Sequence, residues 1–216
     1  MEVITLGLGP YQTNCHILHD SHSAWIIDPG SDGDIITNRL ELANLVPKAI
    51  LLTHTHWDHT LGIPALYNRF GVLPLMVHHT EAMFLGREGG RLLRRFAVAI
   101  DPSQEKIPLE IWEAIPEPTT LLGDQDKIED AGLIVLHTPG HSPGSIGFYH
   151  KEAGILFSGD TLFAGTIGRT DLPNSEPDLI IDGILTKFMT LPYETIVYPG
   201  HGPTTTIGRE KSNPWL

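Results

Sequence analysis

The segment Thr53-His54-Thr55-His56-Trp57-Asp58-His59 follows directly on the apolar run Ala49-Ile50-Leu51-Leu52. The apolar run predicts a short buried strand. Three histidines and one carboxylate therefore lie just past the carboxyl end of a strand, where a turning backbone can direct several side chains inward. Imidazole and carboxylate groups suit zinc, iron or manganese better than calcium or magnesium, which prefer oxygen ligands. The segment predicts a metal site, since alternating histidines followed by Asp-His are unusual in a solvated polar loop.

Three later strands of the predicted fold also end close to a histidine or an aspartate. They are the strands over Leu133 to His137, Gly154 to Phe157 and Ile196 to Tyr198, which precede His141, Asp160 and His201 respectively. Each of these residues alone is a weak signal, because an isolated loop histidine is usually not a ligand. The joint occurrence of these three residues with the first segment is a strong indication of a metal site.

The candidate ligands fit two metal ions better than one. They are His54, His56, Asp58, His59, His141, Asp160 and His201. In the division we expect, three histidines (His54, His56, His141) serve one ion, Asp58, His59 and His201 serve the other, and Asp160 bridges. Two such ions would share a hydroxide and lower the pKa of bound water toward about 7. A two-metal site of this kind is typical of a hydrolase.

Asp28 closes the predicted strand Ser23 to Ile27 and lies one strand away from the histidine segment. A carboxylate at such a position can accept hydrogen bonds from backbone N–H groups or from a ligand imidazole, and so hold the ligand in place. The alternative is that Asp28 only forms the turn in Asp28-Pro29-Gly30.

The bulk composition predicts one soluble domain over residues 1–216. The chain has 14 Lys and Arg against 26 Asp and Glu, a formal net charge of −12, and no basic stripe, which argues against nucleic-acid binding. Cys15 is the single cysteine, which suits a reducing compartment. With neither a signal-peptide pattern nor an apolar run of membrane-spanning length, we expect a cytoplasmic protein without membrane contact. The oligomeric state is open.

Strands alternate with helices along the chain, which predicts an α/β or α+β fold. The sequence opens with three antiparallel strands (Val3 to Leu8, Cys15 to His19, Ser23 to Ile27). A first helix, with Ser31 or Asp32 as its cap, is predicted from apolar positions between Ile35 and Leu45. Further helices are predicted from Thr60 to Phe70, His78 to Leu85 and Ser175 to Thr190.

Residues 86–118 read as an inserted excursion, because glycines, a basic cluster and four prolines interrupt the pattern. Arg91, Arg94 and Arg95 would share one face of a helix. That face could meet a carboxylate-bearing substrate, but we favour a solvated or subunit-contact face. Phe96 and Trp112 could cover a pocket or pin the excursion to the core.

The order His-x-His-x-Asp-His, then His, Asp and His, resembles the metallo-β-lactamase superfamily. That resemblance implies a four-layer αββα sandwich. Several further motifs are similar to those of the glyoxalase II-like hydroxyacylglutathione hydrolases: Asn14-Cys15, Asp28-Pro29-Gly30, Thr138-Pro139-Gly140-His141-Ser142-Pro143-Gly144, Ser158-Gly159-Asp160-Thr161-Leu162-Phe163 and Gly200-His201-Gly202-Pro203.

The resemblance implies a hydrolase that cleaves S-2-hydroxyacyl glutathione or a similar small-molecule thioester, with two divalent ions. We expect zinc, with iron or manganese as alternatives. Asp58 would bind metal and orient the hydroxide as the catalytic carboxylate. Arg169 stands where the family has a lysine and would meet a substrate carboxylate. Asp171 and Pro203 stand where the family has tyrosines, and only fifteen residues follow His201, where full-length relatives carry a helical domain.

Three other functions are open at this point. One is a persulfide dioxygenase with a single iron held by His54, His141 and Asp160. Another is hydrolysis of a lactone or β-lactam, although no secretion signal supports an exported enzyme. The third is a non-catalytic metal-binding module, which we disfavour because all seven candidate ligands are present.

Overall fold

The structure, a computed structural model, describes all residues from Met1 to Leu216 and divides into two compact units. The first spans Met1–Leu121 and the second Leu122–Leu216. The expectation of a single domain over 1–216 stays a prediction.

The first unit is built on a six-stranded sheet in the order β1-β2-β3-β4-β5-β6. The strands are β1 (Glu2–Leu8), β2 (Thr13–His19), β3 (Ser23–Ile27), β4 (Val46–Leu51), β5 (Leu75–His78) and β6 (Thr120–Leu122). The first three pair antiparallel, so the predicted antiparallel opening is confirmed. β4 is parallel to both of its neighbours, β3 and β5. The residues that follow β3 and β4 therefore emerge at the same edge of the sheet.

The helices of the first unit are α1 (Gly33–Leu42), α2 (Trp57–Thr60), α3 (Ile63–Phe70), α4 (Gly86–Ile100) and α5 (Leu109–Glu113), with 3₁₀ turns at Ala82–Phe84 and Pro102–Lys106. α1 buries Ile36 and Leu40, one turn apart, against the core. The prediction of a helix from His78 to Leu85 is wrong for most of that segment. His78 ends β5, and only the 3₁₀ turn Ala82–Phe84 is helical.

The excursion over residues 86–118 is mainly helical and packs on the first unit. α4 buries Leu93 and Ala97, and α5 buries Trp112, all in the same hydrophobic core as the sheet. Trp112 is fully buried, so it pins the excursion to the core, which was one of the two roles considered for it. Burial of an aromatic side chain of this size contributes strongly to the packing energy.

The second unit carries a six-stranded sheet in the order β14-β13-β10-β9-β8-β7 and a two-stranded hairpin. The strands are β7 (Lys127–Ile128), β8 (Leu133–His137), β9 (Ile146–His150), β10 (Ile155–Gly159), β11 (Leu162–Phe163), β12 (Thr166–Ile167), β13 (Ile196–Pro199) and β14 (Thr205–Thr206). β10 runs parallel to β13 and antiparallel to β9. The carboxyl ends of β10 and β13 therefore lie side by side.

The predicted helix from Ser175 to Thr190 begins two residues later and changes type midway. α6 (Pro177–Gly183) continues into a π-helix at Ile184–Phe188, and α7 (Ile207–Glu210) follows β14. A 3₁₀ turn at Glu129–Ala131 precedes β8. Ile180, Ile184 and Phe188 are fully buried in this unit's hydrophobic core.

None of the helices is both long enough and apolar enough to cross a bilayer. Cys15 lies on β2 with no exposed surface. Burial, and secondarily the negative charge of Asp28, raise the pKa of the Cys15 thiol well above its ordinary value.

Candidate metal centre

In the first unit, four candidate ligands lie between the end of β4 and the start of α3. His54 and His59 are fully buried, whereas His56 and Asp58 are partly exposed. The turn Thr53 to His56 and the single-turn helix α2 reverse the chain here, so side chains five residues apart come together. The ring centroids of His54 and His59 are 4.2 Å apart.

Pairs of ligand atoms face one another at close range within this unit. The Nε2 atom of His54 lies 3.1 Å from Nδ1 of His56. The Nε2 atom of His59 lies 3.5 Å from Oδ2 of Asp58. Asp58 in turn accepts a hydrogen bond of 2.8 Å from the buried hydroxyl of Thr13 on β2.

Asp28 accepts three hydrogen bonds from groups around these histidines. Its donors are the backbone N–H of Thr53 at 2.8 Å, the Thr53 hydroxyl at 2.7 Å and Nδ1 of His59 at 3.0 Å. A carboxylate only accepts, so in the neutral ring of His59 the proton sits on Nδ1. The lone pair of His59 is then on Nε2, the atom that faces Asp58.

The same reasoning fixes the tautomer of His54. The hydroxyl of Thr53 donates its single proton to Asp28, so it accepts from Nδ1 of His54 at 3.1 Å. The His54 lone pair is therefore on Nε2, which faces His56. Asp28 thus orients two imidazoles, His59 directly and His54 through Thr53. It therefore does more than form the turn in Asp28-Pro29-Gly30, which was the alternative role.

Glu81 is a residue that the sequence did not single out. Its buried carboxylate accepts two hydrogen bonds from Thr55, one from the backbone N–H at 3.1 Å and one of 2.5 Å from the hydroxyl. Thr55 lies between His54 and His56, so Glu81 restrains the backbone that carries both imidazoles. Twenty-six residues separate Glu81 from Thr55, and no local pattern marks such a contact.

In the second unit, Asp160 is the centre of the candidate ligands. It follows β10, and its Oδ2 atom lies 3.6 Å from Nε2 of His141 and 3.4 Å from Nε2 of His201. Gly168 permits this arrangement, because a Cβ atom there would lie 1.8 Å from the carbonyl oxygen of Asp160. Only glycine allows so close an approach.

His141 is oriented by the chain at Arg169. Its Nδ1 atom donates to the carbonyl oxygen of Arg169 at 2.9 Å, so the lone pair is on Nε2, facing Asp160. The guanidinium of Arg169 makes two hydrogen bonds to Asp171, at 2.7 and 2.9 Å. The hydrogen bonds to the Asp171 carboxylate raise the pKa of Arg169, and the same bonds to the guanidinium lower the pKa of Asp171. The predicted substrate-binding role of Arg169 stays a prediction.

These donor sets fit a divalent metal ion. Two ligand atoms about 2.0–2.1 Å from a tetrahedral zinc ion lie about 3.3–3.4 Å apart. The four separations given above, 3.1, 3.5, 3.6 and 3.4 Å, bracket that value. In three of them the Nδ1 atom of a histidine has a hydrogen-bond partner elsewhere, so its Nε2 atom is the one that faces another ligand atom, which suits a bound cation. Imidazole with carboxylate suits zinc, iron or manganese alike.

Known proteins resemble the chain over almost its whole length. The family model described as the metallo-beta-lactamase superfamily matches residues 8–201. Hydroxyacylglutathione hydrolase GloC of Haemophilus influenzae is 35% identical over 218 residues, which cover 100% of this chain and 98% of GloC.

Two solved structures are similar at the level of both sequence and fold. The B3 metallo-beta-lactamase BLEG-1 is 36% identical with a TM-score of 0.84, covering 100% of this chain and 99% of that one. TTHA1623 in a di-iron-bound form is 34% identical with a TM-score of 0.80, covering 99% and 100%. The chain therefore belongs to the metallo-β-lactamase superfamily of metal-dependent hydrolases and has its fold.

Proposed function

We propose that this protein is a binuclear metal-dependent thioesterase that cleaves S-2-hydroxyacyl glutathione or a closely similar thioester. The observation that carries the proposal is that Nδ1 of His54, His59 and His141 each has a hydrogen-bond partner, which leaves Nε2 as the atom that faces another candidate ligand. The similarity to GloC over the whole chain supports the thioester as substrate.

The proposed centre uses all seven candidate ligands. His54, His56 and His141 would hold one ion, Asp58, His59 and His201 the other, and Asp160 would serve both. Within the second unit, Asp160 already has a histidine on either side at metal-ligand separations, which suits a shared carboxylate. When bound, the two ions would supply a hydroxide at neutral pH and stabilise negative charge on the carbonyl oxygen of the substrate.

The protein's own residues supply orientation. Thr13 fixes the rotation of the Asp58 carboxylate, so that it can bind metal and accept a proton from the attacking water. Asp28, Thr53 and the carbonyl of Arg169 hold three imidazoles in the tautomer that a metal ion requires. Such supporting contacts contribute substantially to metal affinity and activity.

A thioester suits this set of residues. The leaving thiolate is stable near neutral pH, so its departure needs no strong acid from the protein. We propose that Arg169 meets a carboxylate of the thiol portion, in exchange for Asp171. We also propose the cytoplasm as the compartment, because thiols stay reduced there.

The metal in this proposal is zinc, with iron as the main competitor. The neighbour TTHA1623 has been solved with two iron ions, and it is 34% identical to this chain. The donor set does not distinguish the two metals, because imidazole and carboxylate bind both. Metal analysis of the purified protein decides between them.

The test is hydrolysis of S-lactoylglutathione by protein loaded with zinc or iron, compared with Asp58→Ala and His141→Ala. We expect both variants to lose at least 100-fold in kcat/KM, as removal of a group that acts in the transition state does. His22→Ala, which removes an exposed imidazole, serves as the matched control. Equal turnover by wild type and both variants would refute the proposal. Oxygen uptake with one iron per chain would favour a persulfide dioxygenase instead.

β-Lactam hydrolysis is the second candidate, because BLEG-1 is as similar to this chain as GloC is. The same activated hydroxide would attack a lactam carbonyl, but the leaving amine is a poor one and needs a proton. A chromogenic cephalosporin tested beside the thioester distinguishes them. We expect a higher kcat/KM for the thioester.

A further inference from the structure

Three aromatic side chains in the first unit form a continuous surface beside the candidate ligand His56. The Phe96 ring is stacked on the His56 imidazole, with centroids 5.7 Å apart and an angle of 18° between planes. Trp57 packs edge-on against Phe96 at 6.5 Å, and Tyr11 packs edge-on against Trp57 at 5.9 Å. We call Tyr11, Trp57 and Phe96 the aromatic wall.

The wall is anchored at both ends. Tyr11 lies in the turn between β1 and β2, and its hydroxyl donates to the carboxylate of Asp101, which caps the C-terminus of α4. Gln104 donates to the same carboxylate at 2.9 Å and to the Tyr11 oxygen at 3.1 Å. Because Phe96 lies on the last turns of α4, these bonds restrain its position relative to His56.

Three arginines of the excursion over residues 86–118 bond to other residues of the same excursion. Arg87 and Arg91 both pair with Glu113, and Arg94 donates to the backbone carbonyl of Glu105. The expectation of a solvated or subunit-contact face for Arg91, Arg94 and Arg95 stays a prediction. Arg91 and Arg94 are each bonded within the excursion, and either would lose that bond on binding a substrate carboxylate.

The aromatic wall presents the apolar surfaces of its rings, and the negative charge of the Asp101 carboxylate lies beside it. Tyr11 and Phe96 are partly exposed, while Trp57 is 6% exposed and supports them from behind. The hydroxyl of Tyr11 donates to the carboxylate of Asp101. Such a surface disfavours an anionic group such as the glutathionyl portion of a thioester. It favours an uncharged apolar or aromatic group.

We infer that the aromatic wall is the acyl-recognition surface of the enzyme and that it selects thioesters whose acyl group carries an apolar or aromatic substituent. This inference rests on the proposed function. The apolar substituent is on C2 of the acyl group, the carbon next to the carbonyl carbon that is attacked, so it stays close to the metal-binding imidazoles. His56 is the ligand that Phe96 contacts, and the substituent would pack against the exposed part of that ring.

The test compares S-mandeloylglutathione with S-lactoylglutathione, which share the thiol and the 2-hydroxyl group and differ by a phenyl in place of a methyl. We expect wild type to hydrolyse the mandeloyl thioester with the higher kcat/KM. Phe96→Ala should lower kcat/KM about tenfold for the mandeloyl thioester and less than threefold for the lactoyl thioester, the size expected for loss of one aromatic contact. Phe96→Leu retains apolar volume and should give an intermediate ratio, which keeps the test valid if the alanine variant folds poorly.

Phe70→Ala is the matched control, because Phe70 is also partly buried but lies at the end of α3 beside Arg69. Its ratio of mandeloyl to lactoyl kcat/KM should equal that of wild type. An unchanged ratio in both Phe96 variants would overturn the inference.

Binding of the product acids separates this inference from the proposed function. We expect mandelate to bind metal-loaded wild type at least threefold more tightly than lactate in calorimetric titration, and Phe96→Ala to remove that preference. If wild type hydrolyses neither thioester but still binds mandelate more tightly than lactate, and Phe96→Ala removes that preference, the recognition role of the aromatic wall is supported and the thioesterase proposal fails. If wild type shows no preference for mandelate, the inference is wrong whatever the enzyme hydrolyses.

Discussion

The Nδ1 atom of His59 lies 3.0 Å from Oδ2 of Asp28, and both side chains are almost completely buried. Asp28 directly follows β3, and His59 lies on α2 in the segment after the parallel neighbour β4. Their contact defines which nitrogen of His59 is left to bind a metal ion. The backbone of Asp28 has a positive φ of 51°, a conformation that aspartate adopts more readily than most residues. Strand pairing and backbone conformation together direct the carboxylate at the imidazole.

Replacing Asp28 by Asn should weaken metal binding about 10- to 100-fold, the usual cost of losing a contact that orients a ligand. The amide can offer only one oxygen to the three donors that Asp28 now accepts. Zinc affinity, measured by competition with a chromogenic chelator, provides the test. Asp34→Asn, on an exposed position of α1, is the control. An Asp28→Asn protein with wild-type affinity would contradict the role assigned to this carboxylate.

Replacing Glu81 by Gln should lower the free energy of unfolding of the metal-free protein by about 1–3 kcal/mol, because the two buried donors of Thr55, which both bind Oε2, then lose their charged acceptor. Urea denaturation measures this loss. Glu152→Gln, at an exposed position, should have no effect.

A positioning role for Glu81 also predicts a spectroscopic change. Cobalt substituted for the native metal should show altered visible absorption in Glu81→Gln, because the loop carrying His54 and His56 is less restrained. An unchanged cobalt spectrum together with lowered stability would mean that Glu81 supports only the fold.

Asp160→Asn should reduce the bound metal from about two ions per chain to one or fewer, because the carboxylate is proposed to serve both ions. The measurement is metal content after gel filtration, beside Asp171→Asn as a control whose carboxylate is exposed and paired with Arg169. Two tightly bound ions in Asp160→Asn would show that this residue does not bridge.

His150 should make the second unit less stable in mild acid. Burial lowers its pKa, and the backbone N–H of Ala153 donates to its Nδ1 atom at 3.1 Å. The unfolded chain, in which the pKa of histidine is about 6.5, therefore binds the proton more readily than the folded one. Stability from this group is complete above about pH 6.5 and falls as the pH drops through the lower folded pKa.

We expect His150→Asn to flatten the decrease in unfolding free energy between pH 7 and pH 5 relative to wild type, in protein treated with a chelator. His22→Asn, at an exposed turn, should follow the wild-type curve. Parallel curves for wild type and His150→Asn would exclude this explanation.

The sequence is informative about the site wherever the chemistry lies at the end of a strand. The candidate ligands and Asp28 directly follow apolar runs, and the periodicity of those runs is a local property. The supporting residues Thr13 and Glu81 leave no such signal, because their contacts with Asp58 and Thr55 span 45 and 26 residues. Helix type is also invisible locally. The apolar period from Ser175 to Thr190 does not distinguish an α-helix from the π-helix at Ile184–Phe188, where packing of Phe188 in the core accompanies the wider turn.

The burial of Cys15 makes the protein convenient for site-directed labelling. The chain has no other cysteine, and this thiol is both inaccessible and held protonated by its surroundings. A cysteine introduced at the exposed position Arg95 on α4 would then be the single thiol that reacts with a maleimide dye or a nitroxide. Such a probe would report directly on movement of the helix that carries Phe96.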